Sequence, residues 1–571
     1  MKKLLLFSIL GLVGCTAQIA DPNGGSTPGA GAGGGLGSGM FGGPTSPGAP
    51  GQTGAGATAQ AGPMPLRRLS RDEYDATVAD LLGDTTHPGR DFPEDERDEA
   101  DGQRLSPFRR PGAVGSLLAS RLLDAASALA GAADVAKLLP CQPTSADEAK
   151  CADSFVTQFG LKAFRRPVLP EEKSRLLALY QQVRTAESAD FTGGIRAIIE
   201  AMLLSGPFLY HWELGPQPAT LEGGLVQLGP YEIASRLSYF LTGTMPDTEL
   251  LGAAAQGKLA TEADVTAQAT RLFASPRAKA SLRNFFQQWL GLDEMPERSK
   301  DAATYPQFTD ALKDSMIAEL NELTGRVMLD GDGRLESLLT DGKAFVDPAL
   351  AELYGLDAAG SMKSPEAMML APRERSGLLT RAGFQALYGG PKGSNPIKRG
   401  AEIYRRLLCG TVPKPPANVP PAKEPSEGGT TRMRFAEHGS NACAKGCHGL
   451  FDAFGFAFEN YDGIGRYRTL DNDLPVDASG SVLLDGAQVS FEDGVELSRK
   501  LADSQQVRGC LSAQVASYGL GRTLTDADRA SVDAATAAYQ PTGGGIRALL
   551  AAFAASTTFR YRLPAEGEVL K

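Results

Sequence analysis

The sequence predicts a mainly α-helical, multidomain body, preceded by a disordered tether and carrying a small β-ribbon near its C-terminal third. Apolar residues recur at helical spacing through most of the chain. Residues 16–64 are mostly Gly, Ala, Ser, Pro and Thr. Alternating apolar residues between turn-forming residues are clear only from Tyr467 to Phe491. Together, these three observations predict the fold class.

The N-terminus has the pattern of an export signal. Lys2 and Lys3 precede the apolar run Leu4–Val13, which is too short to span a bilayer but long enough for a signal-peptide core. The run ends in Leu12-Val13-Gly14-Cys15, which resembles the lipobox of bacterial lipoproteins. The resemblance implies a lipid on Cys15, and Thr16 in place of Asp implies the outer membrane. The alternative is an ordinary secretory signal with an incidental cysteine.

Residues 1–15 are thus the expected signal and lipobox, and residues 16–64 the expected tether. A segment so poor in large apolar side chains cannot bury enough surface to offset its chain entropy. About 50 flexible residues reach on the order of 40 Å. We therefore expect an outer-membrane lipoprotein whose body stands clear of the membrane, on the periplasmic or cell-surface side.

Net charge limits the other partners. The 571 residues include 57 basic and 67 acidic side chains, giving a net charge of −10. No basic patch stands out, so we expect no nucleic-acid partner. Because no later run approaches transmembrane length, the lipid is the only membrane contact that we predict.

The body is expected to form five segments. They are an N-terminal helical domain, a helical domain with a cysteine pair, a central helical domain, a cytochrome c-like cysteine-motif domain and a C-terminal helical domain. Their predicted bounds are 65–140, 141–215, 216–360, 361–485 and 486–571. Helical spacing predicts helices at 71–82, 113–139, 152–164, 170–186, 193–204, 230–242, 261–273, 278–290, 307–328, 495–501, 507–520, 526–539 and 545–555.

Six cysteines remain after Cys15, in a compartment where free thiols are unusual. Cys141 and Cys151 flank a short polar loop and are the natural local pair, stabilising the fold by about 3 kcal/mol in the chain-entropy model. Since Cys443 and Cys447 belong to one motif, Cys409 and Cys510 are left as a possible long-range bridge.

The motif Cys443-Ala-Lys-Gly-Cys447-His448 can carry chemistry. Two thiols followed directly by an imidazole are what covalent attachment of haem c requires, with His448 as an axial iron ligand. The usual spacing has two residues between the cysteines, whereas this chain has three. Positions four apart lie near each other on a helical turn, so both thiols could still reach one porphyrin edge. For the distal ligand we expect His438, or else Met433.

Three other interpretations of this motif stay open. Cys443 and Cys447 could form a tight local disulfide. Together with His448 and His438, they could make a Cys₂His₂ zinc site. Finally, either cysteine could bridge elsewhere, for example to Cys409.

Aromatic residues follow the motif at positions 451, 454, 456, 458 and 461. They could line a haem or form an ordinary core, which is the commoner place for phenylalanine. The acids Glu459 and Asp462 are expected in turns or at the surface, or as partners of Arg466 and Arg468. No nucleophile elbow, P-loop or zinc-protease helix is present, so no enzyme reaction is assigned.

The chain also contains a short internal repeat. Gly193–Ala197 reappears as Gly544–Ala548, and in the same register Ser205, Phe208 and Tyr210 match Ser556, Phe559 and Tyr561. Two interpretations are open: convergent helix-start chemistry, or two related helical units that each pack their aromatics on a neighbour.

Several further motifs together resemble a multidomain family of exported bacterial proteins. It is built from domains of unknown function fifteen-eighty-seven, -ninety-five, -ninety-two, -eighty-eight and -eighty-five, often with planctomycete-type cytochrome c segments. The motifs, in the order of these domains, are Leu66–Tyr74 with Asp80–Gly83; Ala163–Pro167; Ser205–Tyr210 with Glu232–Leu241 and Met245–Asp247; Arg375–Thr380 with Pro396–Gly400 and Cys447–Arg468; and Tyr518–Arg522 with the final helix.

The resemblance implies a c-type-cytochrome-like protein with an electron-transfer or redox role and a redox partner protein. The alternative that it implies is a haem-free surface scaffold, or an accessory lipoprotein that binds or processes a cell-surface polysaccharide.

Overall fold

The computed structural model describes most of the body of the chain. The described residues are 61–100, 103–144, 147–186, 189–215, 219, 221–357, 362, 364–412, 428–438, 448–539, 545–564 and 566–570. The predicted signal peptide, Cys15 and the tether up to residue 60 lie outside these ranges. Within the ranges, no helix is both long and apolar enough to cross a membrane.

Helices dominate the described chain, which confirms the predicted mainly α fold. The α-helices of six residues or more are Arg71–Leu82, Ser116–Ala132, Glu148–Ala163, Pro170–Ala186, Phe191–Leu203, Pro230–Thr242, Thr248–Ala255, Glu262–Phe273, Pro276–Leu290, Asp310–Thr324, Leu335–Thr340, Pro348–Leu353, Ala382–Tyr388, Pro396–Leu408, Thr431–His438, Gly494–Asp503, Gln505–Leu520, Arg529–Ala538 and Gly545–Ala555. Shorter ones include Val135–Leu138, Gly206–Leu209, Asp452–Phe456 and Thr557–Arg560.

Local capping explains several of the helix starts. Ser70 caps helix Arg71–Leu82 by accepting a hydrogen bond from the backbone N–H of Glu73, and the Glu73 side chain accepts one from the Ser70 N–H. This reciprocal pair satisfies two backbone donors that the first turn leaves open. At the C-terminal end, Gly83 adopts a φ of 76°, a conformation that glycine tolerates best.

The strands form small antiparallel sheets. The ribbon predicted between 467 and 491 is confirmed as two hairpins, Leu470–Asp471 with Leu474–Pro475 and Gly480–Leu484 with Ala487–Phe491. The other strands are Arg67–Arg68, Glu96–Ala100, Gln103–Arg110, Tyr210–His211, Leu221–Glu222, Leu225–Gln227, Lys343–Val346, Glu366–Met369 and Tyr561–Arg562.

The charged hairpin of Glu96–Ala100 and Gln103–Arg110 was not predicted. Its second strand lacks clean apolar alternation, but distant contacts hold its end in place. Phe108 is buried and stacks on Phe285, with ring centroids 5.6 Å apart. The side chain of Arg109 forms an ion pair with Asp293 at 3.0 Å.

Two large cores hold the described body together. The first contains side chains from Leu69 to Leu209, together with Tyr239. The second contains Phe108 and side chains from Leu228 to Phe559. The predicted bounds of the five segments stay predictions.

The short internal repeat corresponds to a repeated order of helices and strands. Helix Phe191–Leu203 is followed by the short helix Gly206–Leu209 and by strand Tyr210–His211. Helix Gly545–Ala555 is followed in the same way by Thr557–Arg560 and Tyr561–Arg562. The matching phenylalanines are both fully buried: Phe208 packs edge-on against Tyr74, and Phe559 packs against Phe553. This order supports the interpretation of two related helical units.

Candidate functional site

The segment that follows the cysteine motif is held by very close packing of two helices. Helix Pro396–Leu408 crosses helix Asp452–Phe456 where each has a glycine. A Cβ atom at Gly455 would collide with the carbonyl oxygen of Pro396, and one at Gly400 would collide with that of Phe451. Only glycine permits this approach of two backbones. The contact therefore fixes the position of the chain immediately after His448.

A buried arginine strengthens the same contact. Arg399 is fully buried and donates from Nη2 to the carbonyl oxygen of Gly455 at 2.8 Å and to Oε1 of Glu459 at 2.6 Å. Its Nη1 donates to Oε1 of Gln385 at 2.8 Å. Burial lowers the pKa of Arg399, and the Glu459 carboxylate opposes that shift.

Glu459 is the centre of this network rather than a surface residue, so the expected surface position was wrong. Its side chain is buried and also accepts hydrogen bonds from Ser394 at 2.8 Å and from Arg468 at 3.2 Å. The expected partnership with Arg468 is confirmed. A buried carboxylate needs such partners, because desolvation without compensation is costly.

His448 is described, and its ring is oriented by a carboxylate one helical turn away. The Nδ1 atom lies 3.0 and 3.1 Å from the two carboxylate oxygens of Asp452. Burial raises the pKa of the Asp452 carboxyl to about 6, with the His448 ring acting in the opposite direction. Phe451 lies beside the imidazole, with ring centroids 5.6 Å apart.

Most of the aromatic run belongs to the core. Phe454, Phe458 and Tyr461 are almost fully buried within the larger core. Phe451 is also buried but lies outside that core, beside His448. These three positions fit the interpretation of an ordinary core, and a haem-lining role of the run stays a prediction. Phe456 is only partly buried.

Helix Thr431–His438 carries both candidates for a distal ligand. The side chain of Asp471 accepts a hydrogen bond from the Thr431 N–H, which fixes the start of this helix. The Arg432 guanidinium lies 5.1 Å from the ring centre of Phe456, so the helix packs beside Asp452–Phe456. The side chain of Met433 is 58% exposed. The His438 side chain lies outside the described part of the structure.

Both predicted disulfides are confirmed. Cys141 and Cys151 are bonded, as are Cys409 and Cys510. The suggestion that a motif cysteine bridges to Cys409 is therefore wrong. Cys443 and Cys447 themselves lie outside the described residues.

A metal site was the other interpretation of the motif. Among the described residues, no group of three or more His, Cys, Asp or Glu side chains could hold a metal ion. Two of the four expected zinc ligands, Cys443 and Cys447, fall outside those residues, and so does the His438 side chain. The zinc site therefore stays a prediction.

Sequence reasoning did not identify the roles of Asp452 and Arg399. The spacing between His448 and Asp452 is four residues, which places both side chains on one helical face. That local signal could have identified Asp452. Arg399 meets Glu459 only through tertiary packing, so no local pattern indicates their pairing.

Comparison with known proteins finds five family models that match consecutive parts of the chain. Each is described as a protein of unknown function. The matches are DUF1587 over 67–135, DUF1595 over 151–213, DUF1592 over 228–356, DUF1588 over 375–471 and DUF1585 over 487–559. The DUF1588 model, named PSCyt3, spans Cys443, Cys447, His448 and Asp452. No curated protein and no solved structure matches the chain.

Proposed function

Because the chain belongs to the cytochrome-like multidomain family built from DUF1587, DUF1595, DUF1592, DUF1588 and DUF1585, we propose that it attaches haem c and transfers electrons outside the cytoplasm. In this proposal, Cys443 and Cys447 form the two thioether bonds, and His448 is the proximal ligand. Bound haem supplies one-electron chemistry at its iron.

The observation that carries the proposal is the hydrogen bond between His448 and Asp452. Histidines that bind metals commonly use their second ring nitrogen to bond a carboxylate or carbonyl, which fixes the ring and raises its basicity. In this protein the Asp452 carboxylate is hydrogen-bonded to Nδ1 of His448, at 3.0 Å. In a ring held in this way, Nε2 is the nitrogen that would bind a metal. The arrangement follows directly after Cys447, where haem attachment requires its histidine.

The distal ligand is proposed on helix Thr431–His438. In this proposal His438 is preferred over Met433. The Arg432–Phe456 contact supports this choice of helix, since it places the helix beside the one that carries Asp452.

The location is a separate part of the proposal. A lipid on Cys15 would anchor the protein in the outer membrane, and a redox partner would meet the body on the periplasmic or cell-surface side. The Cys15→Ser variant should be soluble or remain unprocessed. If it stays as firmly membrane-bound as the wild type, the anchor is not at Cys15.

A visible absorption spectrum tests the redox proposal. Protein expressed in a host with a haem-maturation system should show the sharp reduced band of a c-type cytochrome, and the Cys443→Ser/Cys447→Ser variant should lose it. The matched control is Cys141→Ser/Cys151→Ser, which also removes two thiols but should keep the band. A wild-type protein without the band contradicts the proposal.

One observation favours a second candidate, a haem-free surface scaffold. The three residues between Cys443 and Cys447 exceed the usual spacing and would also suit a local disulfide. On this alternative the cysteines only brace the loop, and the protein acts by binding other surface components.

A further inference from the structure

A cavity of about 330 Å³ lies far along the chain from the cysteine motif. We call it the motif cavity, because three of the motifs described above line it. Arg67 to Glu73 come from the first motif, Tyr239 and Phe240 from the Glu232–Leu241 motif, and Tyr518 to Gly521 from the last. These motifs lie in the matches to three different domains. The fold therefore brings parts of three separate domains to one cavity.

On one wall of the cavity, the charged side chains are already paired with one another. Glu73 accepts two hydrogen bonds from Arg67 Nη1, at 2.9 and 3.0 Å, and lies 3.4 Å from His211 Nε2. Burial alone would raise the pKa of Glu73, but Arg67 and His211 more than offset it, so the pKa lies well below its ordinary value. Gly521 has a φ of 62°, and a Cβ there would meet the Arg67 side chain. The glycine thus leaves space for the arginine.

Asp72 differs from its neighbour Glu73. Its side chain is exposed to the water of the cavity, and Nδ2 of Asn284 lies 3.4 Å from its carboxylate. The cavity walls still remove part of the water around this carboxyl, and this partial desolvation, followed by the charge of Glu73, raises the pKa of Asp72. This carboxylate is weakly hydrogen-bonded compared with Glu73, so a ligand gains more by bonding to it.

Asp72 also stands at the junction with a second cavity of about 510 Å³. Asp72, Ala76, Asp95 and Arg109 line both cavities. The two cavities therefore share part of their lining, and we call them together the cleft.

The charges of the cleft indicate the class of ligand. The arginines that line the motif cavity are Arg67, Arg109 and Arg110, and the acids are Asp72, Glu73 and Asp95. Equal numbers of opposite charges give little attraction for a strongly charged ligand. Ser281, Asn284 and Gln288 add neutral hydrogen-bonding groups, and Phe108 and Tyr518 add aromatic surface.

We propose that this cleft binds a neutral, hydroxyl-rich ligand such as a saccharide unit, with Asp72 and Asn284 hydrogen-bonded to its hydroxyl groups. A carboxylate accepts hydrogen bonds from hydroxyls, and an amide both donates and accepts, so the pair matches neighbouring sugar hydroxyls. The proposal does not depend on haem, since the cleft contains no residue of the cysteine motif.

Calorimetric titration of the full-length protein tests this binding. The probes are neutral tetrasaccharides of glucose, xylose, mannose and N-acetylglucosamine, an oligogalacturonate as acidic probe, and triglycine as zwitterionic probe. At least one neutral sugar should bind at concentrations up to about 10 mM, which detects a Kd of about 1 mM. Binding by none of the neutral sugars, or by only the acidic or zwitterionic probe, overturns the proposal.

Variants then locate the site. Asp72→Asn should weaken sugar binding about tenfold, the effect of one charge-assisted hydrogen bond. The matched control is Asp533→Asn on the exposed face of helix Arg529–Ala538, which should bind as wild type does. Unchanged thermal unfolding of Asp72→Asn would show that it folds. Equal sugar affinity in Asp72→Asn and wild type places any binding elsewhere and contradicts this site.

The Cys443→Ser/Cys447→Ser variant separates this proposal from the redox function. It should lose the haem band but bind the sugar as wild type does. Loss of sugar binding in that variant would tie the ligand to the cysteine motif and overturn the assignment to the cleft.

Discussion

The Nδ1 atom of His448 lies 3.0 Å from a carboxylate oxygen of Asp452, one helical turn further along the chain. The close contact between Gly400 and the backbone of Phe451 holds the segment on which both stand. The imidazole that follows the second motif cysteine is therefore oriented by the fold, and this relationship leads to the first prediction.

Asp452→Asn should keep covalently attached haem but raise its reduction potential. A carboxylate partner makes the histidine a more basic ligand, which favours oxidised iron, and an amide removes that effect. The measurement is a spectroscopic redox titration of the variant against wild type. The control is Asp473→Asn at an exposed turn, where the potential should not move. An unchanged potential in Asp452→Asn would show that Asp452 does not act on the iron ligand.

Removing the Cys409–Cys510 bridge should destabilise the protein more than removing Cys141–Cys151. The first bridge links residues 101 positions apart and the second links residues 10 apart. The chain-entropy model gives about 4.7 and about 3 kcal/mol for loops of these sizes. Denaturant unfolding of the two double-serine variants checks the order. Equal losses would mean that loop length does not control the effect.

Arg399→Ala should lower the free energy of unfolding by about 3–5 kcal/mol, because it leaves the buried Glu459 carboxylate without its closest cationic partner. Denaturant unfolding gives the value. The matched control is Arg529→Ala, whose partner Asp526 lies on the surface, and it should change little. A loss no larger than the control's would mean that Arg468 alone is sufficient for Glu459.

Asp528 makes part of the stability dependent on pH. Burial opposes its ionisation, but hydrogen bonds from Arg522 and Thr558 hold the pKa of its carboxyl well below the ordinary value. A folded-state pKa below the unfolded one adds stability above about pH 4, and that stability is lost as the pH falls further.

Asp528→Asn should therefore be less stable than wild type at pH 7, and the difference in stability between the two proteins should become smaller below about pH 4. Thermal unfolding across this range measures it, with the exposed Asp533→Asn as control. A difference in stability that stays the same at every pH would mean that the pKa of Asp528 is not shifted by folding.

Local signals explain what could be predicted from the sequence. Helix Arg71–Leu82 was predicted at its observed ends from its periodicity, and the structure adds a Ser70 cap that is equally local in sequence. The hairpin that ends at Arg110 was missed, because Arg109 is held by Asp293 from far along the chain. Contacts with residues far along the chain produce no periodic pattern in the sequence of a charged strand.

The same reasoning applies to the two candidate sites. The cysteine motif is local, so His448 could be singled out from spacing alone. The motif cavity is lined by Glu73, Tyr239 and Tyr518. These residues are far apart in the sequence and are brought together only by tertiary packing. Each motif could be noted by itself, but their convergence could not be predicted without the fold.

The most direct test of the redox proposal is the intact mass of the full-length protein from an exporting, haem-maturing host. The proposal predicts a mass gain of one haem, which is absent from the Cys443→Ser/Cys447→Ser variant. A protein without added haem, whose 443–447 peptide is two hydrogen atoms lighter than the same peptide in its reduced form, would show a local disulfide and contradict the proposal.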